Sequence, residues 1–594
     1  MGGAIATALT VFLAGLAVPA SASSGSSDAP TCTAGAHSLG TPGDRLYPDT
    51  GNGGYRSLHT EVDTVYDATT NLFLTGNMVQ LTDQATQCLS SFSLDFERSS
   101  ADAVAGPNMT VGSVTVDGVP ATFTFVQPTY PGDPVGQDDA DPRAHEISQN
   151  NPVGGPNQNP LPPACSPELP APTSPPDVQD GQQCPANKLV ITPASPIPDG
   201  SSFTVVVGYS GRPGVHADGD GSTEGWFRTA DGGFVTTEPV GSEAWMPLND
   251  FPTAKPTYDF YDTVAAGVTA IANGLLVSTS PHPANAQFPG GSVTWHWHSA
   301  APVASYLVEN TVGKYSLSQH VSHGITYYEA QDAALSAATQ KANLVIMNQQ
   351  KAITDFESHV SGPYPFSSAG IIVGSTNANF DEEMQTMISF GGGHVGTSLL
   401  YHENMHQWWG DNVTEASYNM TFYKEGLATL AQDLYTAHRA AVAAGGPGTA
   451  PGNAAFKASL VAQFDALYGN TGDFWDSAPS DPAPSALFSS AATYLRPVAA
   501  YLALFQILGS TDFDFALQGI QLTFGGGNID ESELETAFQQ WMPNTSIACS
   551  QKLSAFFTQW FDTAYPPGGG ANRPQITGPG LAGPGFYDQS GGCS

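Results

Sequence analysis

Basic side chains are scarce in this chain. Its 594 residues include 17 Lys and Arg against 54 Asp and Glu, which gives a formal net charge of −37. A field of that sign repels phosphate backbones and anionic membrane surfaces, so nucleic-acid binding is not expected. The acidity is typical of a protein that stays soluble outside the cell. A preference for cationic substrates is the alternative interpretation.

Long apolar runs are also lacking, because none reaches the roughly 18 residues of a membrane-spanning helix. The shorter run Ala4–Val18 is followed by Pro19-Ala20-Ser21-Ala22, a small-residue pattern typical of signal-peptide cleavage. We therefore predict that residues 1–22 are a signal peptide and that the product is secreted and extracellular, with no membrane partner. No Lys or Arg precedes Arg45, so either the signal is atypical or the start is misplaced.

The chain has few cysteines, and none forms a C-x-x-C motif. An even number of cysteines in an exported protein indicates disulfide bonds, whereas metal ligation by cysteine is the weaker alternative. Sequence neighbours suggest one of fifteen possible pairings, namely Cys32–Cys88, Cys165–Cys184 and Cys549–Cys593.

The hydrophobic period changes along the chain. From about residue 55 to 315 it is mostly two, as in strands, and Asp117-Gly118 between two such runs predicts a hairpin. Beyond 315 we predict helices at 330–357, 394–410, 421–439, 492–508 and 530–541. The resulting outline is multi-domain α+β. Its predicted parts are an antiparallel β domain at 23–314 with a Pro-rich insertion at 128–186, a mainly helical domain at 315–565, and a Gly/Pro-rich tail at 566–594.

One predicted helix carries His402-Glu403-x-x-His406. Two histidines four residues apart lie on one helical face, so both imidazoles can reach one ion, and Glu403 can reach a water on that ion. Eighteen residues separate His406 from Glu425, which completes a His₂Glu set, one of those used by catalytic zinc. Exposed histidines and a solvated helix-start glutamate are the alternatives, and the combined spacing favours one bound Zn²⁺.

These residues resemble the zinc signature of the aminopeptidase N (M1) family of gluzincin metallopeptidases. The resemblance rests on His402-Glu403-x-x-His406-Gln407-Trp408-Trp409-Gly410 and on Glu425-Gly426-Leu427-Ala428-Thr429. Trp245-Met246-Pro247-Leu248-Asn249-Asp250-Phe251-Pro252 also resembles a turn in the family's N-terminal β domain. The resemblance is to a secreted bacterial branch without the C-terminal helical domain, and it implies a thermolysin-like catalytic domain.

The resemblance also implies catalytic roles. Glu403 would act as general base on the water at the zinc ion. Tyr494 would stabilise the oxyanion, although Arg496 and Pro497 depart from the family's Tyr-x-Lys-Gly pattern. Tyr501 is the competitor for that role, and a buried structural tyrosine is the other interpretation of Tyr494.

An aminopeptidase must hold the free α-ammonium of its substrate, and carboxylates suit this task. In the family's edge-strand segment Glu383 matches the amine-binding glutamate, with Glu382 as the alternative because the preceding residues depart from the pattern. Glu238 fits the second amine-binding position, unless it is an exposed turn residue.

The resemblance implies a secreted zinc aminopeptidase that acts on peptides with a free N-terminus. A thermolysin-like endopeptidase is the alternative if Glu238 and Glu383 do not face the pocket. An inactive zinc-bearing peptide-binding protein is a third possibility, against which the presence of Glu403 argues. The sequence does not indicate the first-residue preference or the oligomeric state.

Overall fold

The computed structural model describes residues 37–38, 44, 46–47, 50–97, 108–126, 188–217, 222–376, 378, 380–445, 454–483, 486–508, 510–541, 553–565 and 574. The predicted signal peptide, the predicted insertion at 128–186 and all of the predicted tail except residue 574 lie outside these ranges. No helix in the described ranges is long and apolar enough to cross a membrane.

The first part of the described chain consists mostly of strands. In chain order they are β1 (His37–Ser38), β2 (Tyr55–Asp67), β3 (Leu72–Phe73), β4 (Met78–Ala85), β5 (Ser91–Asp95), β6 (Asn108–Val116), β7 (Val119–Pro120), β8 (Thr122–Val126), β9 (Lys188–Thr192), β10 (Ser202–Arg212), β11 (Val215–Ala217), β12 (Thr223–Arg228), β13 (Gly233–Thr236), β14 (Thr257–Ala265), β15 (Thr269–Ala272), β16 (Leu275–His282), β17 (Ser292–Ser299) and β18 (Asn310–Gly313). They form sheets of four, nine and five strands. Most pairs are antiparallel, while β2 with β14 and β1 with β5 are parallel.

The largest sheet shows why this part of the sequence alternates. In β10 the side chains of Phe203, Val205 and Val207 are buried, and the residues between them are more exposed. Inward-facing residues of this kind supply the apolar core between the sheets. The predicted turn is present at Asp117-Gly118, where both residues have positive φ, 50° and 76°. The second strand of that hairpin is only two residues long, because the chain then crosses to pair with β9.

The second part of the described chain combines a sheet with helices. Its strands are β19 (Tyr315–Ser322), β20 (Ile325–Asp332), β21 (Ser368–Val373), β22 (Asp381–Glu382), β23 (Ile388–Phe390), β24 (Val413–Glu415) and β25 (Gly527–Ile529). Its helices are α1 (Ala337–Met347), α2 (Gln350–Ser361), α3 (Thr397–His406), α4 (Thr421–Ala443), α5 (Ala454–Tyr468), α6 (Asp473–Asp476), α7 (Arg496–Leu508), α8 (Ser510–Phe524) and α9 (Glu531–Trp541). The fold is therefore α+β with a β-rich first part and a mainly helical second part, as predicted.

Several local predictions in the second part are wrong. The helix predicted at 330–357 begins as strand β20, which runs to Asp332, and then divides into α1 and α2. The periodicity did not predict the five-stranded sheet β19-β20-β21-β23-β22. Its strands β21 and β23 are buried on both faces, so they lack the alternation that marks a half-exposed strand. β21 illustrates this, since all six of its residues are buried. Helices α5 and α8 were also missed.

Helix α4 lies at the centre of the helical core. Leu427, Ala431 and Leu434 recur at helical spacing and are buried, and α4 packs against α3, α5 and α7. Gly426 permits the closest of these approaches. A Cβ at this position would lie 2.5 Å from Pro497 Cβ and 2.8 Å from Tyr501 Cε2, so only glycine fits.

Of the six cysteines, only Cys88 lies in the described ranges, and it is not free. Each of the three predicted pairings includes a cysteine outside those ranges, so the pairing stays a prediction.

Candidate metal centre

Helix α3 presents both histidines of the predicted signature to one point. His402 and His406 are buried, and their Nε2 atoms lie 3.2 Å apart, as expected for residues one helical turn apart. The Nδ1 atom of His406 lies 2.9 Å from the carbonyl oxygen of Trp409. An Nδ1–H donated to that oxygen leaves the Nε2 lone pair of His406 directed at the same point as His402.

Glu425 supplies a third donor from helix α4. Its Oε2 atom lies 3.1 Å from His402 Nε2 and 3.4 Å from His406 Nε2. Donors about 2.0–2.1 Å from one tetrahedral zinc ion lie about 3.3 Å from each other, so this triangle has the size that zinc requires. The set of two imidazoles and one carboxylate also fits zinc chemically. His402, His406 and Glu425 are therefore the residues that would hold the metal.

Glu403 lies beside this triangle. It is buried, and a carboxylate oxygen of Glu403 lies within 4.8 Å of ligand atoms of His402 and His406. Burial raises the pKa of Glu403 well above its usual value, and the nearby Glu383 and Glu425 raise it further. Asn404, the next residue along, faces away and donates to Glu357 Oε2 at 2.7 Å, which anchors α3 against α2.

The two candidate tyrosines occupy different environments. Tyr494 lies in a π-helical turn, Ser490–Leu495, immediately before α7, and its ring stacks on His402 with centroids 6.0 Å apart. Burial raises the pKa of Tyr494 well above its usual value, so its hydroxyl keeps its proton. Tyr501 is fully buried and packs on Phe561. Of the two, only Tyr494 is at the metal centre.

Arg496, one of the two residues that depart from the family's pattern, has a structural role in the core. It is buried, and it donates to the carbonyl oxygens of Ser477 at 2.6 Å, Gln559 at 3.0 Å and Thr563 at 2.5 Å. The guanidinium therefore connects α7 to two other segments of the helical region. It does not compete with Tyr494 for the predicted role of stabilising the oxyanion.

The two glutamates predicted to bind an amine meet beside the triangle. Both contact Lys424 Nζ, which binds Glu238 Oε1 and lies 2.6 Å from Glu383 Oε1. Glu382 points elsewhere, and its two oxygens accept the backbone N–H of Thr237 at 3.0 and 2.9 Å. The structure thus brings Glu238 and Glu383 together and separates Glu382 from them.

Lys424 is the site residue that sequence reasoning missed. Its Nζ also lies 2.9 Å from Glu425 Oε1, the carboxylate oxygen that faces away from the histidines. Burial lowers the pKa of Lys424, but Glu238, Glu383 and Glu425 outweigh burial and raise it well above its usual value. The lysine in turn holds the pKa of Glu383 and of Glu425 below the usual value, against the effect of their burial. The sequence offered one indication of this residue, since Lys424 directly precedes the glutamate predicted to ligate the metal.

A cavity of about 230 Å³ opens next to the triangle. Its lining is acidic and aromatic, and it consists of Ser222, Glu224, Glu238, Phe380, Asp381, Phe488 and Tyr494. Glu238 and Tyr494 both line the cavity, so a molecule inside it can contact the Glu238 carboxylate and the tyrosine beside His402, whereas Glu383 is not among the lining residues. A cavity with a few convergent polar groups is typical of a small-molecule or peptide site.

A buried HExxH helix, a glutamate from the following helix and a cavity beside them form a candidate metal centre of the kind that the resemblance to gluzincins implies. Comparison with protein families agrees, since the peptidase family M1 domain matches residues 394–560. This range includes all three metal-site residues, Glu403 and Tyr494. Residues 394–560 therefore resemble a peptidase family M1 domain, in agreement with the resemblance found in the sequence.

Solved structures show the same fold over most of the chain. The M1 zinc metallopeptidase from Deinococcus radiodurans is 20% identical, with a TM-score of 0.64, and the match covers 87% of this chain and 96% of that one. A mutant of it bound to a Tyr-Ser-Ala substrate is 19% identical, with a TM-score of 0.65 and coverage of 88% and 98%. A two-domain M1 zinc metallopeptidase mutant bound to L-tryptophan is 21% identical, with a TM-score of 0.63 and coverage of 86% and 96%. Among curated proteins, no match was found.

Proposed function

We propose that the protein is a secreted zinc aminopeptidase that removes N-terminal residues from peptides. The observation that carries this proposal is the position of Glu238 and Glu383 beside the donor triangle. Two carboxylates at this place can hold the α-ammonium of a substrate. The scissile bond is then only one residue away from the metal, which restricts hydrolysis to the first residue.

The protein's own residues divide the chemistry among them. His402, His406 and Glu425 would hold zinc, which would polarise the scissile carbonyl and lower the pKa of a bound water toward neutrality. Glu403 takes the proton from that water and delivers it to the leaving amine. The hydroxyl of Tyr494 donates a hydrogen bond to the developing oxyanion. Because this site is buried, these groups act in a medium where charges interact more strongly than in water.

The relatives support peptides as the substrates. One of them is bound to Tyr-Ser-Ala, and others are bound to the free amino acids L-tryptophan and L-arginine. A free amino acid is the product of aminopeptidase action and carries the same α-ammonium as the substrate. Peptides with a free N-terminus are therefore the expected partners of the present chain.

An endopeptidase is the second candidate, and Lys424 is the observation that favours it. Its ammonium already contacts Glu238 and Glu383, so these carboxylates have a partner without any substrate. An inactive zinc-bearing protein is less well supported. Glu403 is buried at the centre although holding zinc does not require it, and burying a carboxylate without a role is costly.

One set of assays tests these alternatives. We expect the purified protein to hydrolyse aminoacyl p-nitroanilides with a free amine, to leave the N-acetylated forms intact, and to lose activity with 1,10-phenanthroline. Cleavage of the N-acetylated substrates alone would favour the endopeptidase. Absence of turnover with stoichiometric zinc bound would favour the inactive protein.

Secretion is a separate part of the proposal. It is supported by the apolar run Ala4–Val18, the small residues after it and the even number of cysteines. Expression in a secreting bacterial host should yield extracellular protein whose N-terminus lies near residue 23. Full-length protein that keeps residues 1–22 inside the cell would contradict it.

A further inference from the structure

Three histidines surround one aspartate on the solvent-facing side of the nine-stranded sheet. Asp259 lies on β14, while His59 comes from β2 on one side, and His296 and His298 come from β17 on the other. His296 Nε2 lies 2.7 Å from Asp259 Oδ1. His298 Nδ1 and His59 Nε2 lie 3.1 and 3.6 Å from Asp259 Oδ2. These residues, here called the sheet cluster, lie outside residues 394–560 and do not line the cavity beside the donor triangle.

The alternation of β17 explains why its two histidines share a face. Trp297 lies between them, is fully buried and donates its Nε1–H to the carbonyl oxygen of Ala270 at 3.0 Å. Successive strand residues point to opposite faces, so His296 and His298 both point outward. Asp259 pairs directly with His298 in the register of the sheet. Strand pairing therefore fixes the positions of the cluster residues.

Hydrogen bonds determine which nitrogen of His59 faces the aspartate. Its Nδ1 lies 2.9 Å from Thr257 Oγ1, and that hydroxyl donates to the carbonyl oxygen of Leu58 at 3.4 Å. The hydroxyl has one proton, so it accepts the Nδ1–H of His59. In the neutral ring the Nε2 lone pair then faces Asp259 Oδ2 across 3.6 Å. Two acceptors in this position repel each other unless a cation lies between them.

His296 holds the other oxygen of the carboxylate. Its ring stacks on Tyr261, with centroids 4.2 Å apart and 17° between the ring planes. Donation of its Nε2–H to Asp259 Oδ1 at 2.7 Å orients the carboxylate, so that Oδ2 faces the other two rings. Metal-ligating carboxylates in proteins are commonly held by such a hydrogen bond.

The donor set suits a transition metal. The separations of 3.1 and 3.6 Å from Asp259 Oδ2 are close to the roughly 3.3 Å expected between two donors of one tetrahedral zinc ion. Two imidazoles with a carboxylate suit zinc or copper, whereas calcium and magnesium prefer oxygen ligands alone. In the described ranges, three donors that all lie close together occur only at the candidate metal centre, so the rings of His59 and His298 must turn toward each other to share an ion. Their side chains are 32% and 41% exposed, which leaves room for this rotation.

The surroundings of the sheet cluster are negatively charged. Glu61 lies opposite Asp259 in the register with β2. Burial, and after it the neighbouring Glu61, raise the pKa of Asp63 on the same face to about 6. Within the described ranges only histidines form ion pairs with Asp259. A divalent cation at this position would reduce the repulsion between these acids.

We propose that Asp259 Oδ2, His298 Nδ1 and His59 Nε2 form a second zinc site, with His296 holding the carboxylate. The proposal does not depend on the aminopeptidase function. Because the three ligands come from β2, β14 and β17, the ion connects three neighbouring strands. Two of the rings must turn to bind it, so this site is weaker than the candidate metal centre and fills only when zinc is added. Copper is the competing ion, because the same donors also bind it.

The zinc gained on addition of the metal tests the proposal. Bound zinc is measured by mass spectrometry in the protein as purified and again after dialysis against a buffer with a fixed concentration of free zinc. The proteins compared are the wild type, the double variant His59→Gln/His298→Gln, and Asp259→Asn. The difference between the two measurements counts the added ion only, so a failure of the proposed catalytic site does not affect the comparison.

His320→Gln is the matched control. His320 also lies on an exposed strand, stacks on Tyr327 and pairs with one carboxylate, that of Glu329, at 3.0 Å. Within the described part of the chain Glu329 pairs with no second histidine, so this pair offers an ion only two donors.

We expect the wild type and His320→Gln each to gain about one zinc ion per chain and the double variant to gain none. Asp259→Asn should bind the added ion about a hundredfold more weakly or worse. Loss of a group that only supports a ligand already costs about 10–100-fold in metal affinity, and Asp259 is itself a ligand.

The other outcomes overturn the proposal. A wild type that gains no zinc shows that the histidines pair only with the aspartate. An equal gain in the double variant places the ion elsewhere on the acidic surface. An equal gain of calcium in place of zinc shows binding by carboxylates without imidazoles. Loss of the added ion in His320→Gln as well shows that the sheet cluster is not its site.

A measurement on the wild type decides the question if the variants do not fold. An equimolar amount of copper is added to the protein as purified, and its electron paramagnetic resonance spectrum is recorded. Couplings to imidazole nitrogens are expected, because two of the three proposed ligands are histidines. A spectrum with oxygen ligands alone would contradict the proposal.

Discussion

The side chain of His406 donates through Nδ1 toward the carbonyl oxygen of Trp409, 2.9 Å away, while its Nε2 lies 3.4 Å from Glu425 Oε2. The backbone just after α3 thereby fixes which nitrogen of the histidine faces the metal position. Such support for a ligand is common in zinc sites and makes the donor set rigid before the metal arrives.

A first prediction distinguishes a residue that binds the metal from the residue that acts as general base. Glu425→Gln replaces the one anionic donor of the three by a neutral amide, so we expect purified protein to contain little zinc and to show no activity. Glu403→Gln should retain one zinc per chain and lose about a thousandfold in kcat, since only the general base is removed. Metal content by mass spectrometry and kcat on an aminoacyl p-nitroanilide check both. An active Glu403→Gln enzyme would contradict the assignment.

The second prediction concerns the two tyrosines. Tyr494→Phe should lower kcat by about 10²–10³-fold, because an oxyanion donor is lost, and should leave KM and zinc content nearly unchanged. Tyr501→Phe is the matched control. Tyr501 packs in the helical core away from the cavity, so removal of its hydroxyl should leave kcat unchanged. The opposite result, with kcat lost only in Tyr501→Phe, would reverse the roles.

These residues show how far the sequence could predict the site. The four residues of the zinc signature were predictable because helical periodicity places His402, Glu403 and His406 on neighbouring faces, and Glu425 follows at a specific spacing. The choice between Tyr494 and Tyr501 was not predictable from periodicity. The two tyrosines are seven residues apart, which is nearly two helical turns. They are distinguished by the π-helical turn that carries Tyr494 before α7 and by the contact of Tyr494 with His402.

The missed features share a physical cause. Besides its neighbour Glu425, Lys424 has partners from three other segments, at Glu238, Tyr306 and Glu383, and contacts between segments distant in sequence leave no periodic signal. The buried sheet around β21 gave an apolar run that cannot be told from a buried helix by periodicity. By contrast β10 was predictable, because one of its faces is buried and the other is partly exposed. Patterns of exposure are therefore readable from the sequence where an element borders solvent, and they are lost where it does not.

A third prediction distinguishes the adjacent glutamates Glu382 and Glu383. Glu383→Gln should raise KM for free-amine substrates by about tenfold or more, because one of the two ammonium partners loses its charge. Glu382→Gln should leave KM nearly unchanged, since both Glu382 oxygens accept from the backbone of Thr237. Loss of one of those acceptors should appear instead as a lower melting temperature. If KM rose in Glu382→Gln and not in Glu383→Gln, the assignment of Glu383 rather than Glu382 to the substrate amine would be wrong.

The junction between the β-rich and helical parts gives a fourth prediction. Lys255 precedes β14, and its Nζ donates to Asp411 O and Thr414 Oγ1 at 2.8 Å each and to Gly527 O at 3.1 Å. Lys255→Met leaves these acceptors without their donor. We expect the free energy of unfolding to fall by about 2–4 kcal/mol, measured by urea denaturation. Bound zinc should remain stoichiometric, and a stability equal to that of the wild type would contradict a role at the junction.

The last prediction uses a buried acid far from the metal centre. Asp83 lies within β4 and is fully buried, and burial raises its pKa to about 8. In the unfolded chain the pKa of an aspartate is about 3.9. The folded state therefore binds the extra proton between these values. The contribution of Asp83 to stability is complete below about pH 3.9 and is lost as the pH rises through about 8.

Asp83→Asn removes this dependence, because an amide does not titrate. Between pH 5 and pH 8 the stability of the wild type should fall relative to that of Asp83→Asn by up to about 4 kcal/mol. Asp262→Asn is the contrast, since burial raises the pKa of Asp262 only to about 6, so its effect should end near that pH. Urea denaturation at half-unit pH steps measures both curves. Parallel curves for the wild type and Asp83→Asn from pH 5 to 8 would show that Asp83 is not held neutral in the folded protein.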